Sequence, residues 1–174
     1  MKWTLPWAAA LLLGCSPALN WRSVAFEDAA LTVTLPCKPE RATRTVELAG
    51  TPTELAMVGC DADGATFAVS TLALAQPERA GETLTHWRTA ALARMGAART
   101  LSEVPFTPHG TLPLPPSVRL VAQGQRPGGG EVTAQAVWFA RTVGSQVRLY
   151  HAVVYTDTPR PAVADTFFAG LEMR

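Results

Sequence analysis

Lysine is almost missing from this chain of 174 residues, which has only Lys2 and Lys38. Lys and Arg together number 15 against 14 Asp and Glu, a net charge of +1. That balance leaves no basic stripe of the kind nucleic acid requires. Arg in place of Lys, with abundant Ala and Pro, reads as the mark of a GC-rich genome rather than of guanidinium chemistry. Histidine is scarce as well. His86, His109 and His151 have no mutual ligand spacing, so a metal site would need distant convergence and its own supporting shell. No metal and no cofactor is expected. There is no C-x-x-C for thiol redox chemistry and no G-x-S-x-G nucleophile turn. Gly128-Gly129-Gly130 lacks the Lys-Ser/Thr pair and helix start of a phosphate loop. Long apolar runs are missing too. The uncharged stretch Trp3 to Leu13 falls short of the roughly 20 residues that span a bilayer.

What the N-terminus does have is the layout of an export signal. Lys2 supplies the positive charge, and Leu11-Leu12-Leu13 is the strongest apolar block. Leu12-Leu13-Gly14-Cys15 resembles the lipobox of bacterial lipoproteins, with Leu three residues before the Cys and a small residue directly before it. The resemblance implies a diacylglyceryl group and an amide-linked acyl chain on Cys15. Several chains anchor firmly where one is marginal, because each buried methylene adds about 0.8 kcal/mol. Ser16 stands where the family uses Asp for inner-membrane retention. The implied location is therefore the bacterial cell envelope, on the outer membrane and facing the periplasm. Three other readings rank behind it: an ordinary signal cut after Ala18, an uncleaved anchor, and a buried N-terminal helix.

The layout is thus a signal peptide over 1–14, a lipid-anchored tether over 15–24 and a single domain over 25–174. About 160 residues suffice for a core, since a domain of that size buries roughly 70% of its unfolded surface. With Cys15 acylated, Cys37 and Cys60 remain as a pair, and export places them where disulfides persist. A Cys37–Cys60 bridge is expected; two separate buried thiols are the alternative. One difficulty attends it. In a plain meander the first and third strands lie about 9.6 Å apart, whereas a bridge needs Cα atoms within about 7 Å. Either Cys37 curls over in its turn or the strand order is not a plain meander.

Alternation dominates the domain. Leu31–Leu35, Thr43–Leu48, Glu54–Cys60 and Ala65–Leu74 read as strands. Asp63-Gly64 is a favoured hairpin turn. The period then changes: Leu84, Trp87, Ala91 and Met95 share one face of a helix over Gly81–Met95, ended near Gly96. Strands resume at Arg99–Pro105, Ser117–Gln125, Glu131–Arg141 and Gln146–Tyr155, the last three as a meander. After Pro159 and Pro161 a short helix places Val163, Phe167 and Leu171 on one face. Trp21 is expected to dock on the domain edge or to sit at the membrane surface. Short turns imply antiparallel pairing, and helices apart from runs of strands imply an α+β fold, a mostly antiparallel sheet packed by two helices.

Phe26-Glu-Asp, Leu31-Thr-Val-Thr-Leu-Pro36, Lys38-Pro39, Phe67-Ala-Val-Ser70, Arg148-Leu-Tyr150 and Phe167-Phe168-x-x-Leu171 carry a second resemblance. The chain is similar to bacterial exported proteins that open on F-x-V-x-x-P-x-K-P and whose domain is similar to the PsbP/Mog1-like α/β/α sandwich. The resemblance implies that fold and an accessory or binding role. It brings no shared catalytic residues.

Individual candidates for chemistry are weak. Asp61 and Asp63 could start a calcium loop, but the remaining oxygen ligands and the closing Glu are missing, so a turn is the better account. Ser70, Ser102, Ser117 and Ser145 carry no local signature of an activated nucleophile. The aromatics Trp138, Phe139, Tyr150 and Tyr155 lie on neighbouring strands; alternation puts Trp138 and Phe139 on opposite faces, and one ring could line a ligand pocket, although sheet core is the usual account. Three functions rank in order. The first is a non-catalytic envelope lipoprotein that docks or supports an envelope protein partner, its only other attachment being to the membrane through the lipid. The second is a small-ligand or lipid carrier, which needs a cavity of about 300 Å³ or more between sheet and helix. The third is a hydrolase with a dispersed site, favoured by a cleft that holds a Ser or Asp beside His151 or His109.

Overall fold

Runs of alternating apolar and polar residues become long strands, and the one sustained helical period becomes a helix between them. In the computed structural model, residues 18–174 are described except 49 and 97. The signal peptide over 1–14 and the acylation of Cys15 lie outside the described residues. The elements are β1 (Arg22–Phe26), β2 (Leu31–Leu35), β3 (Glu40–Leu48), β4 (Thr51–Ala62), β5 (Ala65–Leu74), α1 (Ala80–Ala93), β6 (Arg99–Pro105), β7 (Val118–Gln125), β8 (Glu131–Val143), β9 (Gln146–Thr156), α2 (Pro161–Ala169) and β10 (Leu171–Met173).

Two sheets form, and every strand pair in them is antiparallel. The large one has seven strands in the order β3-β4-β5-β9-β8-β7-β6, and the small one has the order β1-β2-β10. The large sheet separates two cores. On one face Phe67, Val69, Phe139, Tyr150 and Val154 pack against Leu31, Val33 and Leu35 of the small sheet and Phe167 of α2. On the other face Leu55, Leu72, Leu120, Trp138, Leu149 and Val153 meet Leu84 and Trp87 of α1. Trp138 and Phe139 do take opposite faces, as a two-residue period requires.

The expected architecture, one sheet packed by two helices in a PsbP/Mog1-like α/β/α sandwich, is overturned. Of the described residues 54% are strand and 18% helix, in two antiparallel sheets with one substantial helix. The layer opposite α1 is built chiefly by the small sheet, and α2 has only nine residues. The reason is local. Arg22–Phe26 lies partly within the segment read as a tether, and Leu171 was placed on a helix face. Both segments instead pair with β2. The apolar run Val24-Ala25-Phe26 breaks alternation in β1 and three residues are too few to show it in β10, so only their long-range partner makes them strands.

That second sheet also removes the difficulty with the disulfide. Cys37 follows β2 in the small sheet and Cys60 lies on β4 in the large one, so the in-plane strand spacing does not apply. The two are bonded, with Cα atoms 5.9 Å apart, and the bridge staples one sheet to the other. Trp21 docks on the same core, edge-on to Phe67 with centroids 5.9 Å apart. The Tyr150 hydroxyl crosses between the layers and donates to the Ala29 carbonyl at 2.6 Å. At the β4–β5 turn Asp63 and Gly64 both have positive φ, 51° and 69°, the backbone that a two-residue hairpin demands.

Candidate functional site

A single helix cannot cover the face it packs on. Fourteen residues make α1 about 21 Å long and roughly 10 Å across, while seven strands span about 29 Å. It touches β8, β9 and β3. The sheet beneath carries small side chains where the cavity lies, Ala68 and Ser70 of β5. Short side chains under a narrow helix leave space, and a cavity of about 450 Å³ opens between α1 and β3, β4, β5 and β9. Its walls are largely apolar: Leu48, Leu55, Met57, Trp87, Met95 and Val153.

Two polar groups lie deep within it. Ser70 and His151 face each other across the β5–β9 ladder, and both are buried. His151 also pairs with Trp138 in the β8–β9 ladder. Its ring stacks on that indole with centroids 4.4 Å apart and planes 12° from parallel. Trp87 of α1 meets the same imidazole edge-on at 5.6 Å. Burial drives the imidazole pKa down to about 3, because a charged ring would lose its hydration there. The ring is therefore neutral, and its Nε2 has no hydrogen-bond partner. It is one of five buried side-chain polar atoms left so among the described residues, and of those five residues His151 alone lines the cavity.

Charge is confined to the rim, where Glu47, Arg94 and Arg126 are exposed. Arg126 is paired with Asp157 at 2.6 Å. Tyr155 lies half-buried on the cavity wall. Burial raises its phenol pKa, and the nearby positive charge of Arg94 pulls weakly the other way. The end of α1 is fixed there, since the Gln125 amide donates to the Met95 carbonyl at 2.6 Å.

Chemically, the cavity suits binding better than reaction. Ser70 beside His151 places a hydroxyl and an imidazole on neighbouring strands, as the hydrolase reading asked. Among the described residues, however, no hydrogen bond joins the two and no carboxylate is paired with the imidazole. A base with a pKa of about 3 is poorly matched to proton abstraction near neutrality. The other sequence candidates are dispersed. His86 is exposed on α1, 3.7 Å from Glu82, and His109 is exposed in the Pro-rich connection. Asp61 accepts a hydrogen bond from Thr66 at 2.5 Å, and Asp63 pairs with Arg160, so both serve the turn. Among the described residues, no group of three or more His, Cys, Asp or Glu could hold a metal. Nor is any helix among them long and apolar enough to cross a membrane.

Tyr155 is one of the four aromatics that the sequence offers as a pocket ring, whereas Trp87 is read there only as part of the helix stripe and Arg94 is not singled out as a site residue. The signal is faint: two small residues, Ala68 and Ser70, at alternate positions on β5. It becomes readable only once the strand register is known.

No protein-family model matches the chain, and no curated protein matches it either. Among solved structures it is similar to a protein of unknown function from Pseudomonas aeruginosa. The two share 14% identity over 86% of this chain and 94% of the other, with a TM-score of 0.43. That likeness is too low to carry fold or function from one to the other.

Proposed function

We propose that this is a lipid-anchored protein of the bacterial cell envelope whose domain binds a small apolar molecule under α1, without catalysing a reaction. The cavity of about 450 Å³ carries the reading. It exceeds the roughly 300 Å³ at which ligand pockets begin, and it combines apolar walls with a few buried polar groups. The lipobox-like Leu12-Leu13-Gly14-Cys15 supports the anchor on Cys15, and Ser16 supports an outer-membrane address facing the periplasm. The Cys37–Cys60 bridge fits an oxidising compartment.

The test uses the full chain purified from its own membranes and extracted with organic solvent. The expected result is one apolar species at about one molecule per protein, missing from an Ala68→Phe variant of unchanged melting temperature. An empty wild-type extract, or equal loading of the two, would sink the reading.

A docking role keeps one specific observation in its favour. Every residue of the edge strand β6 is exposed, including Leu101 at 46% and Val104 at 52%. An unpaired edge is a template for strand addition, so an envelope protein partner would meet the domain there. Site-directed crosslinking from Val104→Cys should then trap one discrete adduct; a ladder of random products would count against it.

A further inference from the structure

Resting on the cavity reading, we propose that the ligand is a long-chain carboxylate, its single acyl chain under α1 and its head held at the rim by Arg94 and Tyr155. The interior excludes charge. His151, the one histidine lining the cavity, is neutral and enclosed by Trp138 and Trp87, so no counter-ion waits there for an anion. A charged head must therefore stay at the mouth while an apolar body goes in.

The rim decides the sign. Arg126 is already occupied by Asp157. Glu47 belongs to β3, three places from β9 in the sheet order, about 14 Å away at the ladder spacing. That exceeds the Debye length of about 8 Å at physiological salt, so its repulsion at β9 is largely screened. Arg94 lies close enough to Tyr155 for its charge to act on the phenol. Arg94 and Tyr155 both line this cavity, so a guanidinium and a protonated phenol there offer N–H and O–H donors to a carboxylate, and the charge-assisted bonds are the stronger kind. A volume near the low end of ligand pockets suits one acyl chain rather than two.

The experiment uses the full chain in phosphatidylcholine nanodiscs. It is photolabelled with diazirine analogues of palmitate and of 1-hexadecanol, and the labelled peptides are mapped by mass spectrometry. Palmitate should label the cavity wall at about tenfold lower concentration than hexadecanol. Arg94→Gln should erase that advantage, bringing palmitate labelling to the level of hexadecanol, while Ala68→Phe should abolish both. Equal labelling of the wild type by the two probes, or an advantage that survives Arg94→Gln, would overturn the head-group assignment and leave the cavity reading intact. Displacement of the palmitate probe by lysophosphatidylglycerol at lower concentration than by palmitate would overturn the carboxylate in favour of a lysophospholipid. No saturable cavity labelling by either probe would overturn both readings.

Discussion

Trp138 and His151 stack ring on ring across the β8–β9 ladder, 4.4 Å between centroids, with the imidazole neutral in a closed apolar setting. The arrangement makes stability depend on pH in a defined direction. The unfolded imidazole titrates near 6.5 and the folded one at about 3. Between those values the unfolded chain holds a proton that the folded one does not. Stability is therefore complete above pH 6.5 and falls as pH drops toward 3. From pH 7.5 to pH 5 the wild type should lose about 2 kcal/mol more than His151→Phe. Urea melts of both proteins at the two values measure this, and parallel pH dependences would show that the ring is solvated.

The Cys37–Cys60 bridge closes a loop with a sequence separation of 23. Loop-closure entropy for that length is worth about 3 kcal/mol. The double variant Cys37→Ala, Cys60→Ala should lower the unfolding free energy by roughly that amount, and adding reductant to the variant should change nothing further. Because the bridge joins the two sheets, hydrogen exchange in the variant should rise first in β1 and β2. Uniform acceleration through β7, β8 and β9 would contradict that role.

Gly124 lies under the end of α1. A Cβ built there comes 2.5 Å from the Met95 carbonyl oxygen and 2.9 Å from the Met95 Cβ. Backbone cannot give way cheaply, so Gly124→Ala should cost about 1–3 kcal/mol and loosen the cavity wall at Met95. Thermal melts measure the first effect. A neutral substitution would mean that α1 is not pinned to β7.

Radiolabelled palmitate fed to cells should enter the wild-type protein and not Cys15→Ala. The variant should also leave the membrane fraction, because a diacyl anchor supplies most of the attachment. Equal labelling of the two would remove the lipid anchor from the account.

Most elements can be read along the chain, and the reason is length. β5, β8 and β9 have 10, 13 and 11 residues, enough for a two-residue period to show. Leu84 and Trp87 mark the helical stripe by which α1 packs on the sheet. β1 defeats the same test because Val24-Ala25-Phe26 does not alternate, and β10 because it has only three residues. Asp63-Gly64 was legible because turn chemistry is local. The site was not, since Ser70 and His151 are 81 positions apart by subtraction of their numbers and meet only through register.

The sequence by itself determined what depends on neighbours in the chain: the strand periods, the turns, the apolar face of α1 and the lipobox-like run that ends at Cys15. Tertiary structure alone decided that β2 leaves the large sheet, that Cys37 reaches Cys60 between sheets, and that small side chains under α1 leave a cavity. Periodicity is a property of adjacent residues, whereas empty space is a property of surfaces brought together from distant segments. Pairing energies between those segments set that geometry, and no local pattern records them.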